Sequence, residues 1–208
     1  MHIRAQSFSY ISKERGLNVF LPLFQGARLE KKDIVSFLPG DVRTAVLKLA
    51  KEEFRGEEGE IKSFRFSQGG AARVCLFGLG EKEKWNKRKC PLVARRMVRW
   101  AKSERVEEFA TPLFAPDGSL KDAAKQFAEN ALLAAYEYTK HKTPPPGGWP
   151  EVKIVTLCAD EKEIPEIGKA IREGVIVGEE TNACRDLANT PGSDMTPAVL
   201  AAEAKTVA

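Results

Sequence analysis

The run Arg73-Val74-Cys75-Leu76-Phe77-Gly78 is apolar almost throughout and ends on a glycine. A strand with one wet face alternates apolar and polar residues, whereas a strand covered on both faces is apolar throughout. This run therefore reads as a strand with helices above and below it, which is the α/β arrangement. Just upstream, Ile61, Phe64 and Phe66 lead into Gln68-Gly69-Gly70, a turn sequence. The two segments read as a hairpin or as neighbouring strands, which makes a mixed sheet the expectation.

Outward from this pair, strand-like and helix-like segments alternate. Residues 2–10 and 17–24 read as extended. Pro39-Gly40-Asp41-Val42 opens a helical pattern carried by Val42, Ala45, Val46, Leu49 and Phe54 and broken by Glu57-Glu58-Gly59-Glu60. A helix is expected from Asn86 to Ser103, with Asn86 as cap and Pro91 in the first turns. Its inward stripe is Val93, Met97, Trp100 and Ala101, with Arg95, Arg99 and Lys102 on the other face. A strand over Val106–Ala115 ends at Pro116-Asp117-Gly118, and Gly78 and Gly80 read as a strand-ending turn that needs positive φ. Ser119 with Asp122 resembles a capping box ahead of the stripe Leu120, Ala123, Phe127, Ala131, Ala134 and Tyr138.

The proline-rich stretch 143–150 cannot be regular structure, and a strand follows at 152–158. Asp160 is placed to cap a long helix carried by Ile164, Ile167, Ile171, Val175 and Gly178 to about Ala188, with Asn189-Thr190-Pro191-Gly192 ending it. Thr196-Pro197 then starts another helix that reaches Ala208 without a stop signal, which reads as an element cut short. The expected fold is a three-layer α/β/α sandwich with a mixed central sheet, followed by a long linker helix.

The chain has 208 residues, 43% hydrophobic and 30% charged, enough for a real core without disulfides. No apolar run approaches the roughly 18 residues that span a bilayer. The first residues lack the apolar region of a signal peptide, so the expected compartment is the cytoplasm. Cys75, Cys90, Cys158 and Cys184 form no C-x-x-C pair and read as reduced, mostly buried thiols. Net charge is +4, but Lys82 to Arg105 holds ten Lys/Arg against two Glu, a local +8. Such a segment is usually a solvated helix face; its functional reading is a polyanion or nucleic-acid site using Lys87, Arg88, Arg95, Arg99 and Lys102.

Catalytic motifs are missing from the sequence. His2 and His141 are the two histidines, neither with a metal-binding partner at ligand spacing, and there is no H-E-x-x-H. There is no G-x-S-x-G elbow. Gly78-Leu79-Gly80 follows a strong strand, but Glu83 stands where a dinucleotide fingerprint needs its third glycine. The residues themselves give an α/β domain with no catalytic or metal-binding set.

Near the chain's end stands Asn182-Ala-Cys-Arg-Asp-Leu-Ala-Asn-Thr-Pro191, followed by Thr196-Pro-Ala-Val-Leu-Ala-Ala-Glu-Ala204. Together they resemble the start of the catalytic region of the leucyl aminopeptidase (M17, cytosol aminopeptidase) family, in which R-D-L-x-N-x-P precedes T-P-x-x-L-A-x-x-A. Upstream, Val74–Gly80 and Ala135–Lys142 are similar to the family's pattern in the right order. The resemblance implies a macro-domain-like amino-terminal domain (1–162), a linker helix (163–190) and the truncated start of a catalytic domain (191–208). It implies a cytoplasmic parent enzyme that removes amino-terminal residues from peptides with two divalent metals, Zn or Mn, and assembles as a homohexamer. It also implies that the family's metal-binding N-T-D-A-E-G-R segment lies outside these 208 residues, so no cofactor and no catalytic residue is carried over. Arg185, Asp186, Asn189 and Pro191 carry the resemblance and are expected to serve the domain junction. Some bacterial members of the family bind DNA, which keeps the basic segment as a second reading. A macro-like nucleotide-sugar site near Gly78 and Gly80 is a third.

Overall fold

The structure, a computed structural model, describes residues 1–27, 35–66, 71–116 and 118–207. Six strands are present among these residues: β1 (His2–Ser7), β2 (Leu17–Leu23), β3 (Ile61–Arg65), β4 (Ala71–Gly78), β5 (Glu108–Pro112) and β6 (Ile154–Ala159). Six α-helices accompany them: α1 (Ser9–Lys13), α2 (Gly40–Glu53), α3 (Lys89–Ser103), α4 (Leu120–Ala135), α5 (Ile164–Asn189) and α6 (Pro197–Val207). The strands form one sheet in the order β1-β6-β5-β2-β4-β3. Every neighbouring pair is parallel except β3 with β4, the expected hairpin-like pair. The Gln68-Gly69-Gly70 turn that would join them lies outside the described residues.

Alternation along the strands builds two cores. On β4, Cys75 and Phe77 point to one face, Val74 and Leu76 to the other, and all four are essentially inaccessible. The first face packs against α3, α4 and α5 through residues such as Met97, Phe127 and Ile167, with Phe20 stacked on Phe109 at 4.2 Å. The second packs against α1, α2 and residues 35–38. The sheet is therefore the middle layer of an α/β/α sandwich, and the run at 73–78 is covered on both faces as its composition requires.

Several local expectations change. Extended structure ends at Ser7, and residues 9–13 form the short helix α1. The reason is tertiary: Ile11 is buried, and Phe8 stacks on Phe37 with ring centres 4.3 Å apart. Helix α3 begins at Lys89, three residues after Asn86, whose Oδ1 accepts from the Arg88 amide in a turn ahead of the helix. The strand expected over 106–115 is shortened to β5, 108–112, the stretch that pairs with β6. Tyr138 lies beyond α4, because the chain turns to extended geometry at Tyr136. Asp160 caps a single 3-10 turn, Glu161–Glu163, with its backbone alone. Of the two turn glycines, Gly80 has φ +78, while Gly78 is needed for space: a Cβ there would overlap the Glu57 carbonyl oxygen.

Other signals hold. The Ser119 hydroxyl accepts from the amides of Lys121 and Asp122 at the start of α4. Helix α5 ends at Asn189, and Thr196 Oγ1 accepts from the Val199 amide at the start of α6. Helices α4 and α5 approach closely because Gly174 and Gly178 face α4; a Cβ on Gly174 would overlap the Lys125 carbonyl oxygen. No helix of the structure is long and apolar enough to cross a membrane, among the described residues.

Candidate functional site

The sequence singled out two groups of residues, and the structure joins part of one to part of the other. In the basic group, Lys87 and Arg88 are exposed just ahead of α3. Lys87 lines a cavity of about 180 Å³ with Trp85, Phe114, Ser119 and Asp122. Further along, the expected solvated face is partly covered, because α4 packs beside α3. Arg95 Nε donates to Asn130 Oδ1 at 2.8 Å, and Asn130 is buried on α4. Lys102 Nζ donates to the Ala135 carbonyl at 3.1 Å and pairs with Glu137 at 3.3 Å; its side chain is 16% exposed. Arg99 stays exposed. Trp100 faces inward, its edge against Phe20 and Phe77, with the Arg73 guanidinium over its ring.

The second group converges on Tyr136, where α4 gives way to extended chain. The Arg185 guanidinium lies over the Tyr136 ring, 4.0 Å from its centre, and Nη1 donates to the Leu133 carbonyl and to Asn182 Oδ1. The Tyr136 hydroxyl donates to Asp186 Oδ1 at 2.8 Å and accepts from Asn189 Nδ2 at 3.0 Å. Burial, with the hydrogen bond to Asp186, raises the Tyr136 hydroxyl above its ordinary value, while the bond from Asn189 pulls the other way. Asn182 Nδ2 adds a bond to the Leu132 carbonyl, and the Tyr138 hydroxyl reaches Thr190 Oγ1. Pro191 is exposed, and its carbonyl accepts from the amides of Asp194 and Met195 in the turn after α5. The same α5 segment brings Arg185 to α3: Arg95, Arg99 and Arg185 line one cavity of about 280 Å³ with Leu133, Ala134 and Thr181.

The remaining chemical candidates are placed as follows. Cys75, Cys90 and Cys158 are buried and Cys184 is exposed; none of the four is in a disulfide among the described residues. Burial pushes Cys75 and Cys158 up to about 12, so both stay protonated and unreactive. His2 is exposed at the start of β1, and His141 Nε2 is 3.7 Å from Asp194 Oδ2 with both side chains about half exposed. Around Gly78 and Gly80 the amides are committed within the fold: Gly78 to Glu60, Leu79 to Leu23 and Gly80 to Gly56. Those three amides are not available to a phosphate. Among the described residues no three His, Cys, Asp or Glu side chains converge as a metal ion requires.

Sequence reasoning kept Arg185 apart from the basic segment, since 86 positions separate it from Arg99. One signal was available. Asn130 is a polar residue within the alanine-rich inward side of α4, and a buried amide there needs a partner.

Residues 21–145 match the model of the cytosol aminopeptidase family, N-terminal domain. A probable cytosol aminopeptidase of Aquifex aeolicus is 28% identical over 95% of this chain, and that of Bacillus subtilis 30% identical over 89%. The chain spans 38% of the length of each of these relatives. Among solved structures, a tomato leucine aminopeptidase mutant superposes with a TM-score of 0.78 at 23% identity, over the whole of this chain and 42% of that one. The bottromycin maturation enzyme BotP in complex with Mn gives 0.65 at 20% identity, over 91% of this chain and 35% of that one. At these identities the structural matches speak for the fold alone, and they agree with the mixed sandwich described above. The family model covers more than half of the chain, and the chain belongs to the cytosol aminopeptidase family through its N-terminal domain.

Proposed function

We propose that these 208 residues act as the non-catalytic amino-terminal part of a metal-dependent leucyl aminopeptidase, serving assembly or regulation. The observation that carries this is the family match over residues 21–145, in a chain spanning 38% of the length of the Aquifex and Bacillus relatives. In this reading residues 1–162 are the α/β domain, 163–190 the linker helix, and 191–208 the opening of the catalytic domain. The parent removes amino-terminal residues from peptides in the cytoplasm.

Exposed apolar side chains support a role in assembly. Ile176 and Val177 on α5 are 61% and 41% exposed, and Val199 and Leu200 on α6 are 39% and 49% exposed. Side chains of this size on two successive helices are suited to burial against further protein. The parent's catalytic domain and the neighbouring subunits of a homohexamer are the partners this reading assigns.

Hydrolysis of this type uses metal ions to polarise the peptide carbonyl and to generate hydroxide. Among the described residues no three metal-ligating side chains converge; this reading assigns Zn or Mn to the parent's catalytic region and no step to this chain. The test is direct. The purified chain is expected to give no turnover of a leucine anilide with Zn²⁺ or Mn²⁺ added. Turnover that follows the chain through purification and stops on chelation overturns the proposal.

A nucleic-acid module using the basic segment is less well supported by the geometry. Lys89 pairs with Glu58 and Lys102 with Glu137, so the charges do not form a continuous free stripe. Lys87, Arg88 and Arg99 stay exposed, while Arg95, Arg99 and Arg185 share one cavity.

A further inference from the structure

We infer that the cavity between α3 and α5 is a binding site for a phosphate-class oxyanion, held by Arg95, Arg99 and Arg185. Three guanidinium groups line a space of about 280 Å³ whose other walls are Leu133, Ala134 and Thr181. Among the described residues no acid lines it. The adjoining groove of about 460 Å³ shares Arg95 and Arg99, adds Arg96, and has no acid among its described lining residues.

Ion pairing separates these arginines from their neighbours. Several nearby cations have carboxylate partners: Arg73 with Glu104, Lys89 with Glu58, Lys102 with Glu137 and Lys125 with Glu173. Arg95, Arg96, Arg99 and Arg185 make no ion pair among the described residues. Like charges around one cavity repel, and a multiply charged anion relieves that repulsion where a single carboxylate balances one charge of three.

Two of the three are also fixed in advance. The buried Asn130 holds Arg95 through Nε, and its own Nδ2 is tied to the Gln126 carbonyl. That leaves the outer fork of Arg95 for an acceptor. Arg185 rests on the Tyr136 ring, with Nη1 bound to Leu133 and Asn182. Guanidinium forks match the paired oxygens of phosphate, and holding them beforehand lowers the ordering cost of binding. Thr181 Oγ1 donates to the Val177 carbonyl, so the arginines supply the donors.

Isothermal titration of the 208-residue chain with inorganic pyrophosphate, at ionic strength held constant with chloride, tests the site. One saturable site per chain is expected. Arg99→Gln, at an exposed position, weakens it tenfold or more. Lys51→Gln removes the same charge from an exposed position of α2, on the other face of the sheet, and leaves the affinity unchanged. The absence of saturable heat overturns the proposal. Equal weakening by both substitutions also overturns it, because the chain would then be attracting anions by net charge alone.

Discussion

The two halves of α5 are attached to the rest of the molecule by different physics. From Ile167 to Gly178 the helix buries Ile167, Ala170, Ile171, Gly174 and Gly178 against the sheet and α4. Beyond Gly178 no residue of α5 is buried. That stretch is held by Asn182, Arg185, Asp186 and Asn189, all reaching the end of α4 or Tyr136 just after it. Apolar close packing scales with the area removed from water and tolerates little change of shape. Exposed hydrogen bonds and a cation over a ring contribute less, because water competes for the same groups. Although the proposed linker begins at 163, the first half of α5 packs as part of the α/β body, and the second is a directed extension of it. That division fits the linker role proposed for α5.

The largest expected effect comes from breaking the packed half. Gly174→Val places a branched side chain where a Cβ would already overlap the Lys125 carbonyl oxygen. Helices α4 and α5 must then separate, at a cost of about 3 kcal/mol. Urea denaturation of the purified variant measures this. Stability equal to the parent chain would mean that the glycine contact does not hold these helices together.

How readily each half could be read from sequence follows the same division. The stripe Ile164, Ile167, Ile171, Val175, Gly178 announces the packed half, since burial imposes a helical period on the apolar residues. The end at Asn189 is legible because Thr190-Pro191-Gly192 cannot continue a helix. Strand β4 is legible because covering both faces leaves no room for polar alternation. Helix α1 is not: five residues are too few to show a period, and Ile11 and Phe8 are set by contacts distant in sequence. Nor is the late start of α3, because Asn86 bonds one turn ahead of the helix it was expected to cap.

The candidate site was legible only in pieces. Charge counting found Arg95 and Arg99, and motif resemblance found Arg185. Their meeting depends on α4 packing against both α3 and α5, which no local pattern encodes. The same packing withdraws Lys102 from solvent, so a face that counting makes uniformly basic is uneven in three dimensions.

A smaller effect is expected from the extended half. Tyr136→Leu keeps an apolar side chain but removes the ring under Arg185 and the hydroxyl shared by Asp186 and Asn189. The loss of global stability is about 1 kcal/mol or less, in the range of exposed cation–π and hydrogen-bond contributions. Denaturation under the conditions used for Gly174→Val makes the comparison. A loss as large as that of Gly174→Val would erase the distinction between the halves.

Native-state amide hydrogen exchange along α5 tests the division most directly, since it reports the stability of each turn separately. The amides of 171–178 are expected to exchange only with global unfolding, while those of 183–189 exchange at least a hundredfold faster. Uniform protection from Ile171 to Asn189 would contradict the account, because it would place the whole helix in the packed body and leave no distinct junction.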